Sequence, residues 1–224
     1  MSIAEPIEDV GEVQGELTLL PPGTLTSKRI IDVILASIAI VLLSPLMLLC
    51  LLLTRMSSSG PAIFRHRRVG FGGRCFYCLK FRTMVADAPE RLRSLLGSDP
   101  EAAAEWASSQ KLRRDPRITM LGSVFRKLSL DEIPQLFNVL SGDMSLVGPR
   151  PVTTEELERY SSSKEAYLSC RPGITGLWQV SGRNEISFEE RVAHDAFYAR
   201  NWSVGLDLKI VMRTFPTVLS GSGW

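Results

Sequence analysis

A chain of 224 residues can bury one proper core with appendages, which predicts one main domain. Its 26 Lys and Arg against 24 Asp and Glu leave a formal charge of +2, too even a balance to mark a nucleic-acid binder. One of the four cysteines, Cys50, lies inside an apolar run. Cys75 and Cys78 have neither a second pair nor a histidine at ligand spacing, so the pattern indicates neither a disulfide scaffold nor a zinc site.

Residues 1–27 lack periodicity, carry Pro21-Pro22-Gly23, and read as a mobile leader. The apolar excess follows, from Ile30 to Leu53, with Asp32 as its one charge. As a helix it covers about 36 Å against a hydrocarbon core of about 30 Å. It is too long and too far from the start for a signal peptide, so residues 28–56 form a retained membrane segment. Lys28 and Arg29 precede it; Arg55, Arg65, Arg67 and Arg68 follow it. Positive charge marks the cytoplasmic side, so a spanning helix carries it on one flank only. Two basic flanks, with Ser44 and Pro45 near the middle, suit a helix that bends and returns to one face. A kinked spanning helix accommodates the same proline, and physics alone leaves both readings open.

Residues 57–224 are assigned to a catalytic domain. Ser57 to Pro61 ends the membrane element. Short apolar runs at Ala62–Phe64 and Cys75–Leu79, separated by Gly70, Gly72 and Gly73, predict a hairpin of two strands. The composition from Pro89 to Lys111 is helical, with a break between Gly97 and Pro100. Further helices are expected near Ile133–Leu140, Glu155–Tyr160 and Phe188–Arg200, and over Leu206–Leu219 with an interruption at Pro216. The fold class is therefore α+β, mostly helical, with a small β-hairpin or sheet.

Three segments could carry chemistry. In Leu128-Ser-Leu-Asp-Glu-Ile-Pro-Gln-Leu136, Ser129 and Glu132 have capping-box spacing, and Pro134 belongs in a first helical turn. These signals put Asp131 and Glu132 at or just before a helix N-terminus, where the dipole favours the ionised carboxylate. Successive side chains on a helix diverge by about 100°, so one carboxylate can attack phosphorus while its neighbour holds a metal ion. The pair is equally explained as acidic residues serving only the dipole. In Gly148-Pro-Arg-Pro151 two prolines fix the backbone around Arg150, whose fork suits bidentate grip on phosphate. Arg171-Pro-Gly-Ile-Thr-Gly176 continues through Trp178 to Gly182-Arg-Asn184, mixing glycines with the donors Arg183 and Asn184. Neither a P-loop nor a Rossmann glycine fingerprint is present.

Together with Lys80-Phe-Arg-Thr-Met84, these motifs resemble the bacterial sugar transferase family, the monotopic phosphoglycosyl transferases, over Ser27 to Leu219. Within that family the chain looks similar to short exopolysaccharide-initiating galactosyl and glucosyl phosphotransferases. The resemblance implies a re-entrant membrane helix bent at Ser44 and Pro45, on the cytoplasmic face of the bacterial inner membrane. It implies Asp131 as nucleophile, Glu132 as a Mg2+ ligand, and Lys80, Arg126 and Arg150 as substrate-binding residues; Arg183 and Asn184 join these as substrate-binding candidates by their hydrogen-bonding side chains. Asp207 matches a recurring acidic position whose role the sequence does not give.

The expected reaction is transfer of a sugar-1-phosphate from a UDP-sugar to a polyprenyl phosphate through a phosphosugar-aspartate, with release of UMP. Inner-membrane lipids and downstream glycosyltransferases are the expected partners. The rival readings are a non-catalytic membrane adaptor of polysaccharide assembly and a UDP-sugar hydrolase.

Overall fold

The computed structural model describes residues 22–109, 112, 114–182 and 186–219. It opens with α1 (Pro22–Ser57), a single helix about 54 Å long by its residue count. The helix begins at Pro22 rather than near Lys28, because proline is compatible with a first turn that needs no backbone donor there. Helical structure runs unbroken through Ser44 and Pro45. Proline has no N–H, so the carbonyl of Val41 loses its helical donor; the Ser44 hydroxyl donates to that carbonyl instead, at 2.8 Å. The Ser-Pro pair therefore repairs its own break, as an apolar setting requires.

One stripe of α1 packs on the rest of the chain along most of its length. Ala36 joins Phe76, Leu136, Val139 and Met144 in one core cluster, while Cys50 joins Phe81 and Phe125 in another. The opposite stripe, including Ile34, Ile38, Val41, Leu42 and Leu49, is exposed. Among the described residues α1 is the one helix long and apolar enough to cross a membrane. Both of its ends nevertheless meet the same folded unit, since Lys28 pairs with Asp207 and Cys50 packs with Phe81 and Phe125.

Polar contacts fix the N-terminal end. Arg29 donates to the carbonyls of Val139 and Leu140, and Asp32 accepts from the amide of Leu146 at 3.1 Å. Lys28 pairs with Asp207 at 2.5 Å; Asp207 also accepts from Trp202 Nε1 at 3.0 Å and from the Tyr198 hydroxyl at 2.7 Å. Asp207 thus acquires the role that its sequence position left undefined. It is the acceptor that joins α1 to the two C-terminal helices.

Strands β1 (Ile63–Val69) and β2 (Cys75–Phe81) form the expected antiparallel hairpin, in register from Ile63 opposite Phe81 to Val69 opposite Cys75. The turn uses Gly72 and Gly73, both at positive φ. Strand β1 extends through the arginines because His66 and Arg68 face a cavity rather than a core. Helices α2 (Ala88–Ser98) and α3 (Pro100–Ser109) are interrupted at Asp99, inside the expected break. Helix α4 (Met120–Lys127), capped by Thr119, has no counterpart among the sequence-derived elements. Helix α5 (Gln135–Ser141) follows the acidic pair.

The remainder packs beside this frame. β3 (Ser145–Val147) pairs in parallel with β4 (Gly173–Thr175), a second small sheet with no counterpart among the sequence-derived elements. Between them lie α6 (Thr154–Glu158), with a full capping box from Thr153 and Glu156, and α7 (Lys164–Leu168). α8 (Leu177–Ser181), α9 (Phe188–Asn201) and α10 (Val204–Leu219) follow, the last running through Pro216 rather than being interrupted by it.

The docking of α1 gives a direct test. Asp207→Ala removes the acceptor shared by Lys28, Trp202 and Tyr198, and should cost about 2–3 kcal/mol. That corresponds to a thermal midpoint about 5–10 °C lower in detergent. Glu158→Ala, at an exposed pair with Lys164, should cost less than about 1 kcal/mol. Equal midpoints for the two variants would contradict the assignment.

Candidate active site

The acidic pair sits on the reversal between α4 and α5. Ser129 adopts a left-handed conformation (φ 55°), and Leu130–Glu132 form one turn of 3-10 helix before Pro134. The Ser129 side chain makes no capping hydrogen bond, so the capping box expected from its spacing to Glu132 does not form. Left-handed backbone turns the chain back on itself, and Glu132 goes to another partner. That partner is Lys80 on β2, at 2.6 Å from Glu132 Oε1 and 4.0 Å from Asp131 Oδ2.

Two local features bring β2 to this turn. Asn138 of α5 donates to the carbonyl of Tyr77 and accepts from the amide of Leu79, both at 2.9 Å, pairing with the strand as a neighbouring backbone would. Gly122 of α4 lies against the backbone of Thr83; an added Cβ there would meet the Thr83 oxygen at 2.0 Å. The close approach lets Arg126 Nε donate to Thr83 Oγ1 at 2.9 Å. Arg126 is largely buried, which lowers its pKa, and the charge of Asp131 opposes that shift.

Asp131 is 8 % exposed. Burial pushes its pKa up to about 6, Lys80 and Arg126 oppose the rise, and Glu132 adds to it. The helix end expected to favour the ionised carboxylate is therefore not the larger influence on Asp131. The adjoining turn is short, and desolvation outweighs it. At neutral pH the carboxylate is still the major form.

Arg150 stands across the site, with Nη1 4.0 Å from Glu132 Oε1 and its guanidinium 5.9 Å from the centre of the Trp178 ring. Pro149 is fully buried, so the turn that aims Arg150 is anchored. Gly148 lies 2.4 Å, measured from a would-be Cβ, from the carbonyl of Arg171, which allows β3 and β4 to meet just before that turn. Arg183 and Asn184, the other two expected substrate contacts, lie outside the described residues.

These groups line one cavity of about 540 Å³. Its described wall carries seven Lys or Arg side chains against the carboxylates of Asp131, Glu132 and Glu156, so the lining favours an anion. Lys80, Arg126, Arg150, Asp131 and Glu132, read separately from the sequence, are brought together here. Sequence reasoning did not assign Thr83, Trp178 or Arg191 to this wall. Trp178 was visible inside the glycine-rich run, whereas Arg191 gave no signal on an ordinary amphipathic helix.

No group of three His, Cys, Asp or Glu side chains able to hold a metal occurs among the described residues. That donor set cannot close a cage around an ion. It does fit Mg2+, which is commonly held by one or two carboxylates together with substrate phosphates and water.

A buried carboxylate beside an ammonium group, under a cation-rich cavity, defines a site whose lining favours an anionic substrate. The profile of the bacterial sugar transferase family matches residues 23–221, and the chain belongs to that family. An exopolysaccharide production protein, ExoY, of Sinorhizobium fredii is 51 % identical over 197 residues, covering 88 % of this chain and 87 % of that protein. An undecaprenyl-phosphate galactose phosphotransferase of Salmonella typhimurium is 50 % identical over 197 residues, 88 % of this chain and 41 % of its own length. A UDP-glucose:undecaprenyl-phosphate glucose-1-phosphate transferase of Caulobacter vibrioides is 40 % identical over 228 residues, 95 % of this chain and 79 % of that one.

The electrostatics of Asp131 can be measured without any substrate. The infrared band of its protonated carboxyl, identified by loss in Asp131→Asn, should titrate at about 6. Lys80 is the largest influence holding that value down, so Lys80→Met should raise it. A titration unmoved by Lys80→Met would contradict the ion-pair geometry.

Proposed function

We propose that the chain is a phosphoglycosyl transferase. It moves a hexose-1-phosphate, galactose- or glucose-1-phosphate, from a UDP-sugar to undecaprenyl phosphate and so begins exopolysaccharide assembly. The observation that carries this reading is Asp131, buried between Lys80 and Arg126 at the wall of a cation-rich cavity. The names of the relatives supply the two substrates.

The reaction runs in two steps. Asp131 attacks the phosphorus that bears the sugar, the bond to the bridging oxygen breaks, and UMP leaves with the electron pair. Undecaprenyl phosphate then attacks the phosphosugar-aspartate, and the Asp131 carboxylate is restored. A covalent carrier suits substrates from different phases, because the two need never be aligned together. Lys80, Arg126 and Arg150 offset phosphate charge in both steps. Glu132 would hold Mg2+ with the diphosphate oxygens; the bound ion supplies neutralising charge on the diphosphate.

The membrane reading rests on α1. Contact of both its ends with one folded unit fits a helix that enters and returns on a single face. Its outward apolar stripe requires an apolar environment. Exposed Met120 and Val124 on α4, and Leu208, Met212 and Phe215 on α10, suit the same bilayer interface. Basic residues at both flanks of the apolar segment favour the cytoplasmic face of the inner membrane.

Asp131→Asn should reduce transfer from a radiolabelled UDP-sugar by more than about 10³-fold. Substantial turnover by that variant would remove Asp131 as the nucleophile, and UMP release without any lipid acceptor in repeated turnovers would indicate hydrolysis instead. Glu132→Gln should raise the Mg2+ concentration for half-maximal rate by about tenfold or more. An unchanged metal requirement would assign the ion elsewhere. A panel of UDP-hexoses on the reconstituted protein identifies the sugar.

A further inference from the structure

The cation-rich wall continues beyond the residues used above. Arg191, one turn into α9, places its guanidinium 4.7 Å from the centre of the Trp178 ring, the same indole that Arg150 approaches at 5.9 Å. Its Nη2 donates weakly to the carbonyl of Ile186 at 3.3 Å. Its Nε is buried and, among the described residues, makes no hydrogen bond. Among the described residues Arg191 forms no salt bridge. The nearby carboxylate of Glu156 is committed through Oε2 to Arg68 at 2.8 Å and to the amide of Thr153 at 2.8 Å.

Two guanidinium groups on one indole repel each other, and a buried N–H without an acceptor is costly. Burial and the charge of Arg150 both lower the Arg191 pKa, the signature of that conflict. An anion held between the two arginines would resolve both costs at once. The cations are linked through shared partners: Lys80 lies 4.0 Å from Asp131 and 2.6 Å from Glu132, Arg150 lies 4.0 Å from Glu132, and Arg150 and Arg191 both approach Trp178. The phosphorus under attack must lie at the Asp131 end. The phosphate on the far side of the breaking bond then needs cations of its own, and the two arginines at Trp178 line the same cavity.

We infer that Arg191 is a substrate-binding residue for the phosphate that departs with the nucleotide. This rests on the transfer reaction proposed above and assigns a part of it. As Asp131 Oδ bonds to the sugar-bearing phosphorus, the electron pair of the broken bond passes to an oxygen of the nucleotide phosphate, and no proton need move. That oxygen gains a full charge as it leaves. A desolvated guanidinium pointing at it stabilises the departing group more than the bound substrate.

The test separates the two half-reactions and adds a binding measurement that needs no turnover. Arg191→Gln should weaken UMP binding to the detergent-purified protein, measured by calorimetry, by about tenfold or more. It should slow UMP release from a UDP-sugar by a similar factor. Transfer of the phosphosugar from preformed Asp131 adduct to polyprenyl phosphate should keep its wild-type rate, because the nucleotide has already gone. Arg191→Lys, which keeps the charge but not the fork, should lie between the two. Equal slowing of both half-reactions would reduce Arg191 to a structural residue. Unchanged UMP affinity in Arg191→Gln, or in Arg191→Lys if the Gln variant does not fold, would also overturn the assignment. If wild-type protein binds UMP in an Arg191-dependent way yet forms no adduct, the transfer reading fails while the nucleotide-phosphate site stands.

Discussion

The ion pair between Lys80 and Glu132 is the contact on which the site depends. It joins the hairpin, which belongs to one part of the chain, to the reversal between α4 and α5, which belongs to another. Lys80 lies 4.0 Å from Asp131 in the same place, so one ammonium group serves two adjacent carboxylates. Without it, burial would drive Asp131 further toward its neutral form, and a neutral carboxyl is a poor nucleophile. Asn138 maintains the geometry from behind by pairing with the β2 backbone, and Gly122 lets Thr83 close the other side. Packing here therefore sets an electrostatic property, and that property sets the chemistry.

The same folded unit that shapes the cavity also holds the membrane helix. Lys28, Arg29 and Asp32 fix one end of α1 to α5, β3 and α10, while Cys50 packs on Phe81 and Phe125 near the other. Phe81 immediately follows Lys80 on β2. The contact with α1 and Lys80 consequently share one short strand. This couples the depth and orientation of the helix to the position of the acidic pair, as the proposed reaction between a soluble nucleotide sugar and a lipid phosphate requires.

Much of this was legible in the sequence, for identifiable reasons. The hairpin was marked by glycines between apolar runs, the break between α2 and α3 by Gly97 to Pro100, and α9 by its amphipathic pattern. The acidic pair, Lys80, Arg126 and Arg150 were readable because short motifs surround them. What escaped depends on contacts distant in the chain. Strands β3 and β4 are three residues each and separated by two helices, so no periodicity could reveal them. Ser129 satisfies the spacing of a capping box yet is left-handed, because the chain turns there to bring the acidic 3-10 turn against β2. The upward pull on Asp131 was invisible for a related reason: burial by tertiary packing outweighs a local helix end. The partner that lets Asp207 hold α1 is Lys28, 179 positions away.

The central claim is that Asp131 carries the phosphosugar covalently. Incubating the purified protein with a UDP-hexose and Mg2+, without lipid acceptor, then digesting it under mildly acidic conditions, allows the adduct to be located by peptide mass spectrometry. The account predicts a hexose-phosphate on the peptide containing Asp131, absent from Asp131→Asn and discharged by added polyprenyl phosphate. An adduct on another residue, or efficient transfer by wild-type protein under conditions that preserve acyl phosphates yet trap none, would contradict it.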